Sequence, residues 1–237
     1  MKFDTPLLKG TLERRYKRFL ADVRLSAGER VTAHCPNTGS LLGCAEPGFE
    51  VWLSHSSKPG RKYPHTWELV KVRGRVTVGI NTGRSNRLVH EALTGGVITR
   101  LQGYRQIRRE VRFGRENSRV DMVLEDGGNK PPCFVEVKNV TAAVEKGIAV
   151  FPDAVSARGT RHLRELARAV EAGNRAAICF CVQRGDVVEV RPADQIDPVY
   201  GAALRQAVAA GVEAMAYRAR VSPRGIALVD EVPVVCP

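Results

Sequence analysis

Arg119-Val-Asp-Met-Val-Leu124 and Cys133-Phe-Val-Glu-Val-Lys-Asn-Val140, separated by the turn residues Asp126-Gly-Gly-Asn129, are the stretches that decide the fold. Both alternate in character and are rich in β-branched residues, so they predict two strands that pair as a hairpin. Side chains two apart on a strand share a face. Glu136 and Lys138 therefore point one way, and Cys133, Val135 and Val137 point the other way into a core. Asp121 on the first strand is brought towards Glu136. Two carboxylates completed by water and phosphate oxygens form the usual donor set for Mg²⁺. A lysine beside them can orient a water or stabilise the charge that develops at a phosphorus centre.

Working outward, Ser85–Leu93 reads as a helix with Leu88, Val89, Ala92 and Leu93 on one side, closed by Gly95-Gly96. Tyr104–Phe113 predicts a strand before the hairpin. Ser156–Gly173 predicts a second helix, with Leu163, Leu166, Ala167 and Val170 at helical spacing, and Arg175–Val182 is apolar enough for a central buried strand. The order α-β-β-β-α-β, with Asp on the second strand and Glu-x-Lys on the third, is that of the PD-(D/E)xK restriction-endonuclease-like fold. A tail adds a helix near Tyr200–Ala210 and strands near Val212–Tyr217 and Gly225–Val229.

Upstream, Arg14–Leu25, Val31–Cys35, Phe49–Ser54, Trp67–Val72 and Arg75–Ile80 predict five closely spaced strands. Five strands with a basic face suit an OB-like barrel. The expected architecture is thus α+β, with a barrel domain at 1–83 and a nuclease-like domain at 84–237. The change of pattern after Asn81-Thr-Gly83 sets the boundary.

Charge points to a partner. The 237-residue chain has 37 Lys and Arg against 25 Asp and Glu, a net charge of +12. Residues 1–83 carry 14 basic and 7 acidic side chains, and residues 84–119 carry nine Arg, no Lys and three Glu. Residues 120–237 carry 14 basic and 15 acidic, so the whole excess lies in the first half. Such asymmetry is the electrostatic footprint of a polyanion partner, a nucleic acid, or else a soluble basic surface with no partner. In Arg14-Arg-Tyr-Lys-Arg-Phe19 a continuous strand would set Arg14, Tyr16 and Arg18 on one face and Arg15, Lys17 and Phe19 on the other. Arg14, Arg15, Lys17 and Arg18, with Arg119, are therefore candidate phosphate contacts.

Several other residues are candidates for the site. Glu110, mid-strand, is a candidate further ligand for the cation that Asp121 and Glu136 would bind, Mg²⁺ or Mn²⁺, or else a partner for a neighbouring arginine. Glu91 on the first helix is either a more distant ligand or a solvated charge. Asp153, Arg158 and His162 precede or open the second helix, with His162 either a general base or a histidine satisfied by its neighbours. No apolar run is long enough to cross a membrane, and nothing after Met1 resembles a signal peptide. Six cysteines without a Cys-x-x-Cys pair suggest a reduced, cytoplasmic setting. Oligomeric state stays open, a homodimer included, as does any small-molecule partner.

Together, Arg18-Phe-Leu-Ala-Asp-Val23, His34-Cys-Pro-Asn-Thr-Gly-Ser40, Asn81-Thr82 with Asn86, Ser118-Arg-Val-Asp121, Glu136-Val-Lys-Asn-Val-Thr141 and Phe151-Pro-Asp-Ala-Val155 resemble the sugar fermentation stimulation protein family nearly end to end. The resemblance implies a bacterial cytoplasmic DNA-binding protein connected with sugar, notably maltose, metabolism. It also implies an OB-like domain joined to a PD-(D/E)xK-like domain, with acids and lysine at Asp121, Glu136 and Lys138. Two activities fit: metal-dependent cleavage of DNA phosphodiesters, or DNA-binding regulation by a protein that keeps the fold without cleaving.

Overall fold

The computed structural model describes residues 1–114, 118–144 and 147–236. Its N-terminal strands are β1 (Leu8–Tyr16), β2 (Leu20–Leu25), β3 (Arg30–His34), β4 (Glu50–His55), β5 (His65–Val72) and β6 (Val76–Gly79). They run in the order β3-β2-β1-β4-β5-β6. Parallel pairing of β3 with β5, at Ala33↔His65 and His34↔Thr66, closes the first five into a barrel. The barrel is filled by Leu12, Val23, Ala33, Val51, Leu53 and Trp67, all buried. The Trp67 indole N–H donates to the Leu69 carbonyl at 2.9 Å, so the largest core side chain leaves no polar atom unmet. Gly10 pairs with both β2 and β4, and a side chain there would overlap Val23 and the Arg24 carbonyl.

The barrel has five strands, as expected, but they are not the five foreseen. Arg14–Leu25 is a hairpin and not one strand: Tyr16 pairs with Leu20, and the chain turns through Lys17 and Arg18 with φ of 49° and 64°. That left-handed backbone is normally left to Gly or Asn, so nothing in the composition marks the turn. It is held from outside: Arg15 donates to the Arg18 carbonyl at 2.8 Å, and Arg18 donates to Thr38 O at 2.8 Å. The foreseen fifth strand is β6, which pairs with β5 outside the barrel closure.

The rest of the chain gives α1 (Ser85–Thr94), β7 (Gln106–Phe113), β8 (Ser118–Glu125), β9 (Cys133–Val140), β10 (Ile148–Phe151), α2 (Ala157–Glu171), β11 (Arg175–Val182), β12 (Glu189–Pro192), α3 (Pro198–Ala209), β13 (Glu213–Ser222) and β14 (Gly225–Val232). The main sheet runs β14-β13-β11-β9-β8-β7. It is mixed: β9, β11 and β13 are mutually parallel, and β7, β8 and β14 pair antiparallel. Leu88 and Val89 of α1 pack over one face with Val135 and Val137. Leu163 and Leu166 of α2, with Leu204 of α3, pack over the other with Ile178 and Phe180. Each of these two helices starts on a cap whose side chain accepts a backbone N–H, Ser156 from Gly159 and Asp197 from Tyr200. The α-β-β-β-α-β order is present, with one addition: β10 and β12 form a separate two-stranded parallel sheet, too short to leave a period in the sequence.

The two bodies are joined by a shared apolar core, in which Trp52 and Leu69 of the barrel pack with Leu88, Val89 and Val135, and by polar contacts. Gly79 N–H donates to Gln183 O at 2.8 Å. The Gln183 amide donates to Asn81 O, to Ser85 Oγ and, at 2.6 Å, to Asn139 Oδ1. Leu41 N–H of the barrel donates to the Asp153 carboxylate at 3.2 Å. The segment before β1 also crosses the junction, with Phe3 and Leu7 packing on the core beneath α1. Gly39 lies against Asp153 so closely that a methyl group would overlap both carboxylate oxygens. Gly39→Ala is therefore expected to destabilise by about 1–3 kcal/mol through overpacking. The check is the shift of the urea midpoint; an unchanged midpoint would mean that the junction yields freely.

Candidate functional site

The hairpin of β8 and β9 pairs at Leu124↔Cys133, Val123↔Phe134 and Met122↔Val135, and then the pairing stops. One step further in this register, Asp121 stands opposite Glu136. Here the Asp121 carboxylate takes the place of a ladder bond: its Oδ2 accepts the Val137 N–H at 2.7 Å. Its Oδ1 accepts from the Asn86 amide at 2.8 Å, in the first turn of α1. The same amide reaches Glu110 Oε1 at 3.3 Å. Glu110 lies on β7 between the pairs Arg109↔Met122 and Val111↔Val120, which places it in line with Asp121 on the other side. Its φ of 54° marks a local kink in the strand. Glu110, Asp121 and Glu136 thus stand in one row across three strands.

Glu136 is 4% exposed. Its Oε1 takes the Lys138 ammonium at 2.6 Å and the His162 ring Nδ1. Nε2 of His162 faces Arg158 Nε at 3.4 Å. The arginine can only donate, so Nε2 accepts and Nδ1–H donates to Glu136. His162 is thereby a brace for Glu136, with both nitrogens committed, and the general-base reading is replaced.

Electrostatics differ between the two acids. Burial and the neighbouring Glu136 charge push the Asp121 carboxyl up to about 6, against the Val137, Asn86 and Lys138 contacts that lower it. Burial acts to raise Glu136 too, but the His162 and Lys138 contacts outweigh it and hold the group below the ordinary carboxylate range.

Around the row the sheet is basic. Arg112 of β7 lies directly opposite Arg119 of β8. Arg119 is two residues from Asp121 and shares its face. Both arginines are exposed. Like charges directly opposite on a hairpin repel. Arg108, by contrast, is paired with Glu125 at 3.3 Å, and Arg115 lies outside the described residues.

The other sequence candidates are placed elsewhere. Glu91 pairs with the Met1 ammonium at 2.6 Å and Arg87 at 2.9 Å, which answers its charge. Asp153 belongs to the barrel contact at Leu41. Arg14 pairs with Asp22 at 2.8 Å and lies over the Tyr16 ring. Arg15 is taken up by the carbonyls of Arg18, Asn37, Gly39 and Ser40. The hairpin turn removes the shared face expected for Arg14, Tyr16 and Arg18, and only Lys17 projects from the turn without a bonded partner among the described residues.

The donor chemistry suits a hard divalent cation: the row offers only oxygens, and one of its acids is destabilised by the charge of the next. Among the described residues, no group of three or more His, Cys, Asp and Glu side chains is close enough to form a complete cage. Asp121 and Glu136 would hold such an ion with water and phosphate oxygens, and Asn86 links Glu110 to them. Sequence reasoning missed Arg112 and the role of Asn86. Arg112 is one of nine arginines in its segment, and only the strand register distinguishes it.

A closed OB-like barrel joined to a sheet of restriction-endonuclease type defines a two-domain protein class. The description "SfsA N-terminal OB domain" matches residues 14–80, and "Sugar fermentation stimulation protein RE domain" matches residues 83–225. The chain belongs to the sugar fermentation stimulation protein family. It is 60% identical over 238 residues to a sugar fermentation stimulation protein homolog of Alkalilimnicola ehrlichii, covering 100% of both chains. It is 57% identical over 235 residues to one from Geobacter metallireducens, covering 99% of this chain and 100% of that one. Among solved structures, it is similar to SfsA of Pyrococcus furiosus in complex with Ca²⁺, with a TM-score of 0.87, 30% identity and coverage of 99% and 98%.

The position of Asp121 has a consequence for stability. Its folded-state value of about 6 lies above its ordinary value of 3.8. The native protein therefore holds this proton more tightly than the unfolded chain does. The stabilisation is complete below the unfolded value and is lost as pH rises through 6. In chelator, Asp121→Asn should exceed the wild type by on the order of 2 kcal/mol at neutral pH and converge with it in acid. Urea unfolding at the two pH values checks this, and a gap that widens in acid would contradict it.

Proposed function

We propose that the protein binds DNA and cleaves its phosphodiester bonds with the help of Mg²⁺ or Mn²⁺. The observation that carries this is the placement of Asp121 against Glu136 where β8 and β9 part, with Lys138 beside them and the Arg112–Arg119 pair on the approach. The Ca²⁺ named with the Pyrococcus furiosus relative supports a divalent-cation reading, since Ca²⁺ and Mg²⁺ both prefer oxygen donors. Asp121 and Glu136 would hold the ion, with Glu110 as the outer carboxylate. When bound, such an ion supplies Lewis-acid stabilisation and lowers the pKa of water.

The chain's own residues do the rest. Asn86 orients Asp121 and ties it to Glu110. His162 fixes Glu136. Lys138 donates towards the reacting phosphate or its water. Arg112 and Arg119 receive flanking phosphates, which relieves their mutual repulsion. Lys17, exposed at the barrel hairpin, is a further cation for a phosphate, and a cytoplasmic setting fits six unpaired cysteines.

A second reading is favoured by one observation: Glu136 is already engaged by Lys138 and His162. In that case the protein is a DNA-binding regulator that keeps the fold, linked to sugar metabolism as the family name suggests, and does not cleave.

Mutation separates the two. Asp121→Ala or Glu136→Ala should abolish metal-dependent cleavage of plasmid and oligonucleotide DNA, while metal-free DNA affinity holds or rises as a repelling charge is removed. Lys138→Ala should stop cleavage and weaken binding. Folded Asp121→Ala protein that cleaves at the wild-type rate would overturn the site. Wild-type protein that never cleaves, with carboxylate variants that bind DNA more tightly without metal, selects the regulator.

The arginine pair has its own test. Replacing Arg112 and Arg119 together with Ala should reduce the slope of log K against log[salt] by about 2. The same change should raise metal-free stability slightly, by roughly 0.2–1 kcal/mol, because it removes a like-charge pair. An unchanged salt slope would place the DNA elsewhere.

A further inference from the structure

A cleft of about 580 Å³ opens where the barrel closes, at the ends of β3 and β4 and the start of β5. Its floor is Glu68, 1% exposed. This carboxylate is fully taken up by Arg84, Asn81 and Ser54. Above the floor stand His34, His55, Lys58 and Arg61. Lys58 and Arg61 are exposed, and neither has a carboxylate partner among the described residues. The Arg61 guanidinium bonds only the Thr66 hydroxyl there, at 2.6 Å. The exposed His55 lines the cleft, and its ring lies beside that of His65 with centroids 5.1 Å apart. Asp4, the other acid on the rim, lies in the field of Arg84.

Such an arrangement leaves its positive charge unanswered by any acid at the rim but Asp4. Two cations and two imidazoles converge on a concave surface from separate strands and a loop, with hydroxyl groups between them. They offer more donors than a carboxylate can accept, and they suit the several oxygens of a doubly charged phosphate. A phosphodiester has fewer free oxygens and one charge. The opposite wall carries Phe3 and Leu7, an apolar surface for an organic group. The volume falls within the range of small-molecule sites, roughly 300–1,000 Å³.

We propose that this cleft binds a phosphate monoester: its phosphate would sit among Lys58, Arg61, His34 and His55, and its carbon skeleton against Phe3 and Leu7. The site is independent of the Asp121 row and does not rest on cleavage. The shared chemistry has two sources, a free sugar phosphate or the 5′-phosphate end of a nucleic acid.

Calorimetry on the full chain tests it, with ribose 5-phosphate and with one oligonucleotide bearing either a 5′-phosphate or a 5′-hydroxyl. Ribose 5-phosphate should bind with a Kd of about 1 mM or tighter. Lys58→Ala/Arg61→Ala should weaken it at least tenfold; both side chains are exposed, so the fold survives. If the 5′-phosphate oligonucleotide binds more tightly than its 5′-hydroxyl twin, and the double variant removes that preference, the source is a nucleic-acid end. If the two oligonucleotides bind alike while ribose 5-phosphate binds, the source is a free metabolite. The proposal is overturned if neither ribose 5-phosphate nor the 5′-phosphate gives a signal beyond the 5′-hydroxyl control. It is equally overturned if the double variant binds as the wild type does.

Discussion

A single buried carboxylate, Glu68, organises the meeting of the two bodies. A charge removed from water must be paired and hydrogen-bonded or it is very costly. Glu68 meets that condition with Arg84 across both oxygens, Asn81 on one and Ser54 on the other. Arg84 leads directly into α1, and the first turn of α1 carries Asn86. Asn86 in turn holds Asp121 and touches Glu110. The position of the candidate site is therefore set from within the barrel. Loss of one Glu68 partner would be felt first in the entry of α1 and then at the carboxylate row.

The row itself departs from the consistency found elsewhere in the fold. Elsewhere among the described residues, charges are answered by a neighbour in several places: Arg175 by Glu213, Arg205 by Asp194, Arg218 by Asp230. At the end of the hairpin the opposite holds. Acid stands beside acid, arginine faces arginine, and a glutamate takes left-handed backbone. Local choices that oppose the stability of the fold concentrate where a ligand can compensate them.

Much of this was legible beforehand, and the residues say why. Cys133–Val140 and Arg175–Val182 are both observed as strands with the expected bounds, because buried β-branched runs between turn residues have few other uses. The pairing of Asp121 with Glu136 followed from the hairpin. The turn at Lys17 and Arg18 was invisible, because what holds it is a pair of side-chain bonds to its own carbonyls and to a loop twenty residues away. Arg15, a candidate phosphate contact by its sequence, is engaged by four carbonyls, and Glu91, a distant ligand or a solvated charge by its sequence, is paired with the Met1 ammonium and Arg87; such partners are supplied only by folding. Arg112 could not be singled out before the register of β7 on β8 was known.

The contacts at the junction also impose an order in time. Glu68 meets Arg84 only 16 residues later in the chain. Asn81 must wait 102 residues for the Gln183 amide that fastens the barrel to the sheet. At synthesis rates of about 5–20 residues per second, that is an interval of roughly 5–20 seconds. During it the barrel can close and neutralise its buried acid while the ribosome is still producing the strand it will lean on. The amides and hydroxyls of the junction can stay wetted by water until their partners arrive, whereas Trp52 and Leu69, which the finished fold buries with Leu88 and Val89, need α1, which follows soon after them in the chain, to cover them.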